Sequence, residues 1–248
     1  MSAAKTTATA TAVAPKIILY TNHLCPWAHR AHIALKALEL PYEEVIIDLS
    51  KPREEWYLKE INPRGLVPAI KFSNGVIQDE VITESGIVAQ FLADIRPPQL
   101  LPPSFSSPTA ALFRARVSFF VDTFVSKVWS LAFSAVRTSD AAEKEQISAR
   151  IFEAVSKEIE PLLKDAAPFF GGSDKLTLAE VQTGSLLLRV LAFSNDDILP
   201  AALKTSLNNL PNFGKWSKAT VAQEAVNYIW NPDLVLTNMK KKFAPAQK

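Results

Sequence analysis

The sequence predicts a small α/β domain with a mixed four-stranded sheet, followed by an all-helical domain. Three observations lead to this fold class. Short β-branched runs alternate with helical patterns over the first hundred residues, a proline-rich stretch at 96–108 interrupts the chain, and only helical patterns follow it. With 248 residues, of which 48% are hydrophobic, the chain is long enough to bury a core in two domains of ordinary size.

The first strand, helix and strand are predicted from two apolar runs and the pattern between them. The run KIILY at 16–20 is short, apolar and β-branched, which is typical of a buried strand, and YEEVIID at 42–48 predicts the second strand. Between them, apolar residues recur at three- and four-residue spacings over 26–38, which predicts a helix. A second, short helix is expected over 53–61.

A hairpin and a third helix complete the first part. Two β-rich runs within 69–80 flank Asn74–Gly75, and an Asn-Gly pair is the strongest short hairpin signal. From Glu84 the pattern is helical again, with Ile87 and Phe91 on one face. A strand–helix–strand unit followed by two strands and a helix predicts a mixed sheet with an antiparallel edge.

The second part is predicted to contain only helices. The stretch 96–108 has five prolines in thirteen residues, cannot continue a helix and is expected to link two domains. Thr177 and Glu180 have the spacing of a capping box, which marks a helix start. Helical patterns cover 109–136, 139–165, 177–193, 211–222 and a last short segment. We therefore expect a flexible tail at 1–15, domains at 16–95 and 109–248, and a linker at 96–108.

Bulk composition excludes several classes of function. A net charge of +2 offers no reason to expect nucleic acid as a partner. No run of about 18 uncharged apolar residues is present, so no membrane span is expected. The start of the chain lacks the continuous apolar core of a secretory signal. A single cysteine excludes an intrachain disulfide, and a reducing, cytoplasmic location fits.

The stretch NHLCPWAHRAH at 22–32 raises the main functional question, because it contains the single cysteine and all three histidines. Cys25 precedes Pro26, which suits the first helical position, so its sulfur is expected at a helix N-terminus. Free N–H groups and the positive end of the helix dipole favour a thiolate there and predict a lowered thiol pKa. The alternative is an inert buried cysteine. His29, four residues on, could assist deprotonation, although a packing role is the simpler interpretation.

The sequence also indicates which chemistry a reactive Cys25 would perform. Ala28 stands where a dithiol redox motif has its second cysteine, and no other thiol exists in the chain. A disulfide at Cys25 must therefore be made and broken by an external thiol. No carboxylate or thiol completes a metal set with His29 and His32 by local spacing, so no metal is expected.

Two further motifs suggest a site for a peptide-like ligand. In NPRGLVPAI at 62–70, Pro68 is a candidate for a cis peptide bond, which would leave the backbone of Val67 free to pair with a ligand as a strand does. An ordinary trans proline at the start of an edge strand is the alternative. Glu84 and Ser85 open a helix, where they could bind an ammonium and a carboxylate, or could only cap the helix.

These motifs, in this order, resemble a cytosolic glutathione transferase of the omega-like, cysteine-type class over residues 16–230. The resemblance implies a thioredoxin-like domain that binds glutathione and a helical domain that shapes the pocket of the second substrate. It implies that Cys25 is catalytic and that the family usually forms homodimers. By position, the residues expected to bind glutathione are Trp27, Lys51 at the glycyl end, Val67 at the cysteinyl backbone, and Glu84 and Ser85 at the γ-glutamyl head.

The resemblance leaves several functions open. The first is a thiol transferase or reductase in which Cys25 attacks glutathione mixed disulfides or conjugates. The stretch CPWAHR also resembles the glutathionyl-hydroquinone reductases. Conjugation of glutathione to an electrophile would use a hydroxyl such as Tyr20 or Thr21, and a binding module on the same fold would have no catalysis. The second substrate is expected to be a small electrophile or disulfide. In the helical domain, Phe120, Phe124 and Trp129 could be pocket walls or core, with core favoured.

Overall fold

The structure is a computed structural model that describes residues 14–194 and 198–243. It confirms the predicted fold class, because a mixed four-stranded sheet with helices precedes a set of helices. Nearly all of the predicted tail lies outside the described residues. The elements of the first part are β1 (Lys16–Thr21), α1 (Pro26–Ala37), β2 (Glu43–Ile46), α2 (Glu55–Glu60), β3 (Ala69–Ser73), β4 (Glu80–Thr83) and α3 (Ser85–Ile95).

The sheet has the strand order β2-β1-β3-β4. Strand β1 runs parallel to β2 and antiparallel to β3, and β4 forms the predicted antiparallel edge. Ile17 and Leu19 on β1 are buried, and so are Ile70 and Phe72 on β3. Strand β1 is apolar and lies inside the sheet, between β2 and β3. The loop that carries Cys25 therefore begins at the end of a firmly held strand.

The hairpin is present, but its turn is wider than the Asn-Gly pair predicted. Strand β3 ends at Ser73 and β4 begins at Glu80, so six residues form the loop. The Asn74 side-chain oxygen accepts hydrogen bonds from the backbone N–H groups of Val76 and Ile77, at 3.2 and 2.8 Å. Val76 is 90% exposed and finds no core to pack against. The Asn74 side chain thus stabilises a loop that is broader than the Ser73–Gly75 stretch at which the hairpin was predicted.

The second part is helical over the described residues, as predicted. The pattern over 109–136 is one continuous helix with a π-helical turn at 124–129, and the pattern over 139–165 continues through π and 3-10 turns to Leu163. The short helix α8 was not predicted. The helices are α4 (Ala110–Thr123), α5 (Ser130–Ala135), α6 (Ala141–Ala154), α7 (Leu178–Phe193), α8 (Ala201–Asn208), α9 (Phe213–Val221), α10 (Glu224–Asn227) and α11 (Pro232–Phe243). No helix in the described part of the chain is long and apolar enough to cross a membrane.

Helix α7 packs against α1 and joins the two parts. At Gly184 on α7, a side-chain carbon would come within 3.3 Å of Val226 and 3.7 Å of Ile33, so glycine permits the close approach of the helices. The proline-rich segment also packs, since Leu100 and Leu101 are buried. A core that continues from the sheet into the helical bundle therefore holds α1, and with it the Cys25 loop, in place.

Candidate active site

Cys25 occupies the N-cap position of α1, and Pro26 is the first helical residue, as the sequence predicted. The backbone N–H of Cys25 donates to the carbonyl of Asn22 at 3.0 Å, which closes the loop after β1. The thiol is half-buried, and its sulfur lies 3.9 Å from the carbonyl oxygen of Val67. The Val67–Pro68 peptide bond is cis. The cysteine and the strand-like backbone edge at Val67 therefore face each other.

The pKa of the Cys25 thiol is raised above its ordinary value, opposite to the direction predicted from the sequence. Burial is the largest cause, because it disfavours the charged thiolate. The backbone N–H groups of Ala28 and Trp27 and the positive charges of Arg189 and Lys242 act in the other direction. The helix start does favour the thiolate as expected, but its effect on the pKa does not outweigh that of desolvation.

Arg189 is a buried cation beneath the cysteine loop. Its guanidinium donates to the Ser185 and Leu24 carbonyls at 2.8 and 3.2 Å and lies 5.0 Å from the ring centre of Trp230. In the described part of the chain, no carboxylate lies within ion-pair distance of it. Burial lowers the pKa of Arg189 to about 10, and Cys25 raises it. The sequence analysis missed this residue, although one arginine within the apolar run SLLLRVLAF was a usable signal.

Glu84 and Ser85 lie at the start of α3, as expected. Glu84 has a φ of 70°, is 46% exposed at its side chain, and pairs with Arg64 at 2.6 Å. The Ser85 hydroxyl accepts a hydrogen bond from Arg30 at 3.3 Å, and Arg30 also donates to the Gln182 carbonyl at 2.6 Å. One terminal nitrogen of Arg30 has no hydrogen-bond partner. The buried guanidinium of Arg30 therefore contacts the first residue of α3 through the Ser85 hydroxyl.

Two other residues predicted to bind glutathione lie on opposite sides of the site. Trp27 lines the cavity next to Cys25, and the guanidinium of Arg30 lies 4.5 Å from its ring centre. Lys51 does not line this cavity. It is exposed, lies 3.6 Å from Asp48, and contributes to a separate small depression. Asp48, its ion-pair partner, lines both this depression and the cavity of Cys25.

The cavity that contains Cys25 measures about 590 Å³. Trp27, Trp129 and Phe133 form aromatic walls, and α11 covers one side with Lys241 and Lys242. Both lysines belong to the basic run 240–242 and are solvent-exposed at the edge of the cavity. Trp129 lines the cavity, whereas Phe120 and Phe124 are fully buried core.

His29 takes no part in this arrangement. It is fully buried and stacks on Trp230 with ring centres 6.4 Å apart. Its backbone N–H donates to the Cys25 carbonyl at 3.1 Å, but within residues 14–194 and 198–243 its ring makes no hydrogen bond to the Cys25 thiol. Burial holds the pKa of His29 well below the ordinary value. The packing interpretation of His29 therefore fits its surroundings better than a role as a base.

Comparison with known proteins gives the class of protein. Residues 24–95 match the family described as the glutathione S-transferase N-terminal domain. The chain is 29% identical to glutathione S-transferase omega-1 of Mus musculus over 206 residues, which are 82% of this chain and 76% of that protein.

Solved structures agree over nearly the whole chain. Glutathione transferase Omega 2C from Trametes versicolor superposes with a TM-score of 0.77 at 25% identity, over 93% of this chain and 99% of that one. Omega 2S from the same organism, solved in complex with 2,4-dihydroxybenzophenone, gives 0.69 at 25% identity, over 92% and 99%. The fold and the site thus define a thioredoxin-like domain joined to a helical domain. Residues 24–95 match the N-terminal domain of glutathione S-transferases, a family that uses glutathione as co-substrate, and the chain as a whole is similar to omega-class glutathione transferases.

Proposed function

We propose that the protein is a glutathione-dependent thiol transferase and reductase in which Cys25 is the nucleophile. The observation that carries this proposal is the position of the thiol, at the start of α1, facing the Val67 carbonyl and open to the cavity. A cysteine in this position attacks sulfur directly. Because the chain has one cysteine, the product must be resolved by a second glutathione.

The proposed reaction has two thiol–disulfide exchanges. The Cys25 thiolate attacks the glutathionyl sulfur of a mixed disulfide, the substrate's sulfur leaves as a thiolate and takes up a proton, and Cys25 is left bound to glutathione. The thiolate of a second glutathione then attacks the glutathionyl sulfur, which releases oxidised glutathione and regenerates Cys25. Arg189 is a positioning residue here, because its fixed positive charge favours the regenerated thiolate and its bond to Leu24 holds the loop.

The tripeptide is proposed to bind across the first domain. The backbone of Val67 pairs with the cysteinyl part, Ser85 and the start of α3 bind the γ-glutamyl carboxylate, and Glu84 binds the ammonium. Trp27 flanks the sulfur. Lys51 was predicted at the glycyl carboxylate, but Lys241 and Lys242, which line the cavity, are better placed cations for a carboxylate near Cys25.

The second substrate is proposed to be aromatic. Trp27, Trp129 and Phe133 offer ring faces, and Lys241 and Lys242 favour an acidic or phenolic group. The relative Omega 2S was solved with 2,4-dihydroxybenzophenone, an aryl ketone with two phenolic groups. This wall chemistry also suits an aryl ketone conjugate or a glutathionyl hydroquinone, from which Cys25 would remove glutathione. A screen of such conjugates against dehydroascorbate and a halonitrobenzene orders the acceptors.

Glutathione conjugation through a hydroxyl is the weaker alternative. The Thr21 hydroxyl is engaged with His32 at 2.9 Å, and Tyr20 is buried against Trp56 and Tyr57. Burial raises the pKa of Tyr20, which makes its proton harder to release. Neither group is available as the donor that such a mechanism needs.

The direct test uses the intact protein and its mass. Oxidised glutathione should add one glutathionyl group per chain, and reduced glutathione should remove it. An enzyme of this kind should be retained on immobilised glutathione. A binding module on the same fold that no longer binds the tripeptide should not be retained. A chain that neither binds glutathione nor becomes glutathionylated would refute the proposal.

Removal of the Ser85 hydroxyl tests the proposed glutathione site. Ser85→Ala is expected to weaken glutathione binding by roughly 1–3 kcal/mol, because a buried carboxylate would lose one partner. Glu84→Gln keeps the side-chain length at a positive φ and should cost about 1 kcal/mol, since Glu84 is partly exposed. Calorimetric titration with glutathione measures both, and Ser118→Ala on exposed α4 is the control. Unchanged affinity in both variants would place the head group elsewhere.

A homodimer in the cytoplasm is part of the proposal. Apolar side chains on the outer surfaces of α3 and α4 are exposed, namely Ile87 at 58%, Leu112 at 52% and Phe119 at 60%. Exposed apolar surface of this kind is typical of an interface with another copy. Light scattering at micromolar concentration is expected to give the mass of two chains, and a monomer mass would contradict it. The single cysteine suits a reducing compartment.

A further inference from the structure

Two histidines and a glutamate meet on the side of the sheet where β2 forms the edge. His23 lies in the loop after β1, His32 on α1 and Glu44 on β2. A carboxylate oxygen of Glu44 lies 2.7 Å from Nε2 of His23 and 3.4 Å from Nε2 of His32. One ligand atom from each residue lies within 4.8 Å of the others. No metal was predicted from the sequence, because no carboxylate or thiol completes a set with His29 and His32 by local spacing. The present three residues come from three different elements, so local spacing could not reveal them.

The group is organised as ligands of a metal usually are. His32 is fully buried, and its Nδ1 lies 3.1 Å from the Tyr42 hydroxyl, which can accept a hydrogen bond from Nδ1–H. That tautomer leaves the Nε2 lone pair for a metal. Nε2 of His32 now shares a hydrogen bond with the Thr21 hydroxyl at 2.9 Å, which a metal would replace. His23 and Glu44 are 45% and 31% exposed at their side chains, so an ion can enter from solvent.

We propose that His23, His32 and Glu44 form a Zn²⁺ site with water at the fourth position. Two imidazole nitrogens favour zinc over magnesium or calcium, and two histidines with one glutamate and an open position are a known zinc set. Ligand atoms about 2.0–2.2 Å from a tetrahedral ion lie about 3.4 Å apart, which is close to the present spacing of Glu44 and His32. Nε2 of His23 is 2.7 Å from Glu44, so the exposed His23 ring would have to move away from the carboxylate and carry its proton on Nδ1.

Zinc at this position would connect the cysteine loop to the sheet edge. His23 is two residues before Cys25 in the same loop, and Glu44 belongs to β2. The ion would therefore hold the loop against the sheet edge through His23. This site is independent of the proposed thiol transfer and stands whether or not Cys25 is catalytic.

The test is zinc binding by the untagged full-length chain, in glutathione-free buffer. Because Cys25 itself is a thiol ligand, every measurement uses the Cys25→Ser background. Calorimetric titration with ZnCl₂ is expected to show one ion per chain, and Co²⁺ as a probe should give the intense visible absorption of a four-coordinate ion. Zinc should also raise the midpoint of thermal unfolding, since it binds only the folded state.

Matched variants distinguish a built site from surface binding. Glu44→Gln and His23→Ala should each weaken zinc binding by more than about tenfold, and Tyr42→Phe by about 10- to 100-fold through loss of the partner of His32. Glu43→Gln, on the adjacent position of β2, should leave affinity unchanged. Circular dichroism confirms that each variant folds. Absence of stoichiometric binding, or equal affinity with and without Glu44→Gln, would overturn the inference.

Discussion

Replacement of Cys25 with alanine is expected to abolish glutathione-dependent disulfide reduction, with turnover falling by at least about a thousandfold. The covalent intermediate cannot form without the sulfur, and loss of a nucleophile removes most of the catalysis that depends on it. The chain offers no second cysteine that could substitute. The measurement is reduction of a small glutathionylated disulfide, followed alongside glutathionylation of the intact protein.

Cys25→Ser separates loss of the nucleophile from loss of the site. Serine keeps the volume and a hydroxyl at the start of α1, so glutathione binding should survive while reduction does not. A gain of conjugating activity in this variant would support the division between thiol transfer by cysteine and conjugation by a hydroxyl. Full reductase activity in the alanine variant would mean that Cys25 is a spectator, and the proposed mechanism would be wrong.

Glu180→Ala is expected to lower the free energy of unfolding by about 3–5 kcal/mol, because several buried donors lose one shared acceptor. Glu180 is fully buried. Its carboxylate accepts from the N–H and hydroxyl of Thr177 at 2.9 and 2.7 Å, which completes the capping box of α7. It also accepts from the backbone N–H of Phe170 at 2.9 Å and the indole N–H of Trp216 at 2.6 Å.

Chemical denaturation of the unchanged protein and of the Glu180→Ala variant measures the difference in the free energy of unfolding. Glu145→Ala, on the exposed face of α6, is the control and should change stability by less than about 0.5 kcal/mol. Glu180→Gln keeps the shape but turns an amide group toward donors, so an intermediate loss is expected. A loss below about 1 kcal/mol for the alanine variant would show that the four hydrogen bonds are replaced by other partners.

Local sequence patterns predicted the helices and strands of this fold well, because the spacing of apolar residues within a short stretch reflects which side of the element is buried. The run KIILY became the central strand, Pro26 became the first residue of α1, and Thr177 with Glu180 formed the predicted capping box. The Asn74–Gly75 signal located the hairpin but not its width, since the Asn74 side chain stabilises a longer loop. The Asn-Gly motif thus predicted where the hairpin lies but not the length of its loop.

The surroundings of the site were harder to predict, because they depend on contacts between distant residues. Arg189 reaches the Cys25 loop from a helix more than 160 positions away in the chain, and Lys242 reaches the cavity from the last described helix. The balance between burial and the helix dipole at Cys25 needs the packed structure. Similarly, the contact between His23 and Glu44 could not be predicted from local sequence spacing, because the two residues lie on different elements.

The hydrogen bonds between α7 and the residues around Cys25 have a consequence for how this protein can diversify. Ser185 donates to the Pro26 carbonyl at 2.8 Å, and Arg189 donates to that of Leu24 at 3.2 Å. The helical half, which we propose selects the second substrate, thus also holds the two carbonyls on either side of Cys25. Recombination that exchanged whole halves between relatives would alter sulfur reactivity together with acceptor preference. Point changes on α11 that keep Lys242 would alter the cavity without touching those carbonyls, whereas loss of Lys242 would also remove a positive charge that lowers the pKa of the Cys25 thiol. Acceptor preference can therefore change on this helix with little effect on sulfur reactivity only while Lys242 is kept.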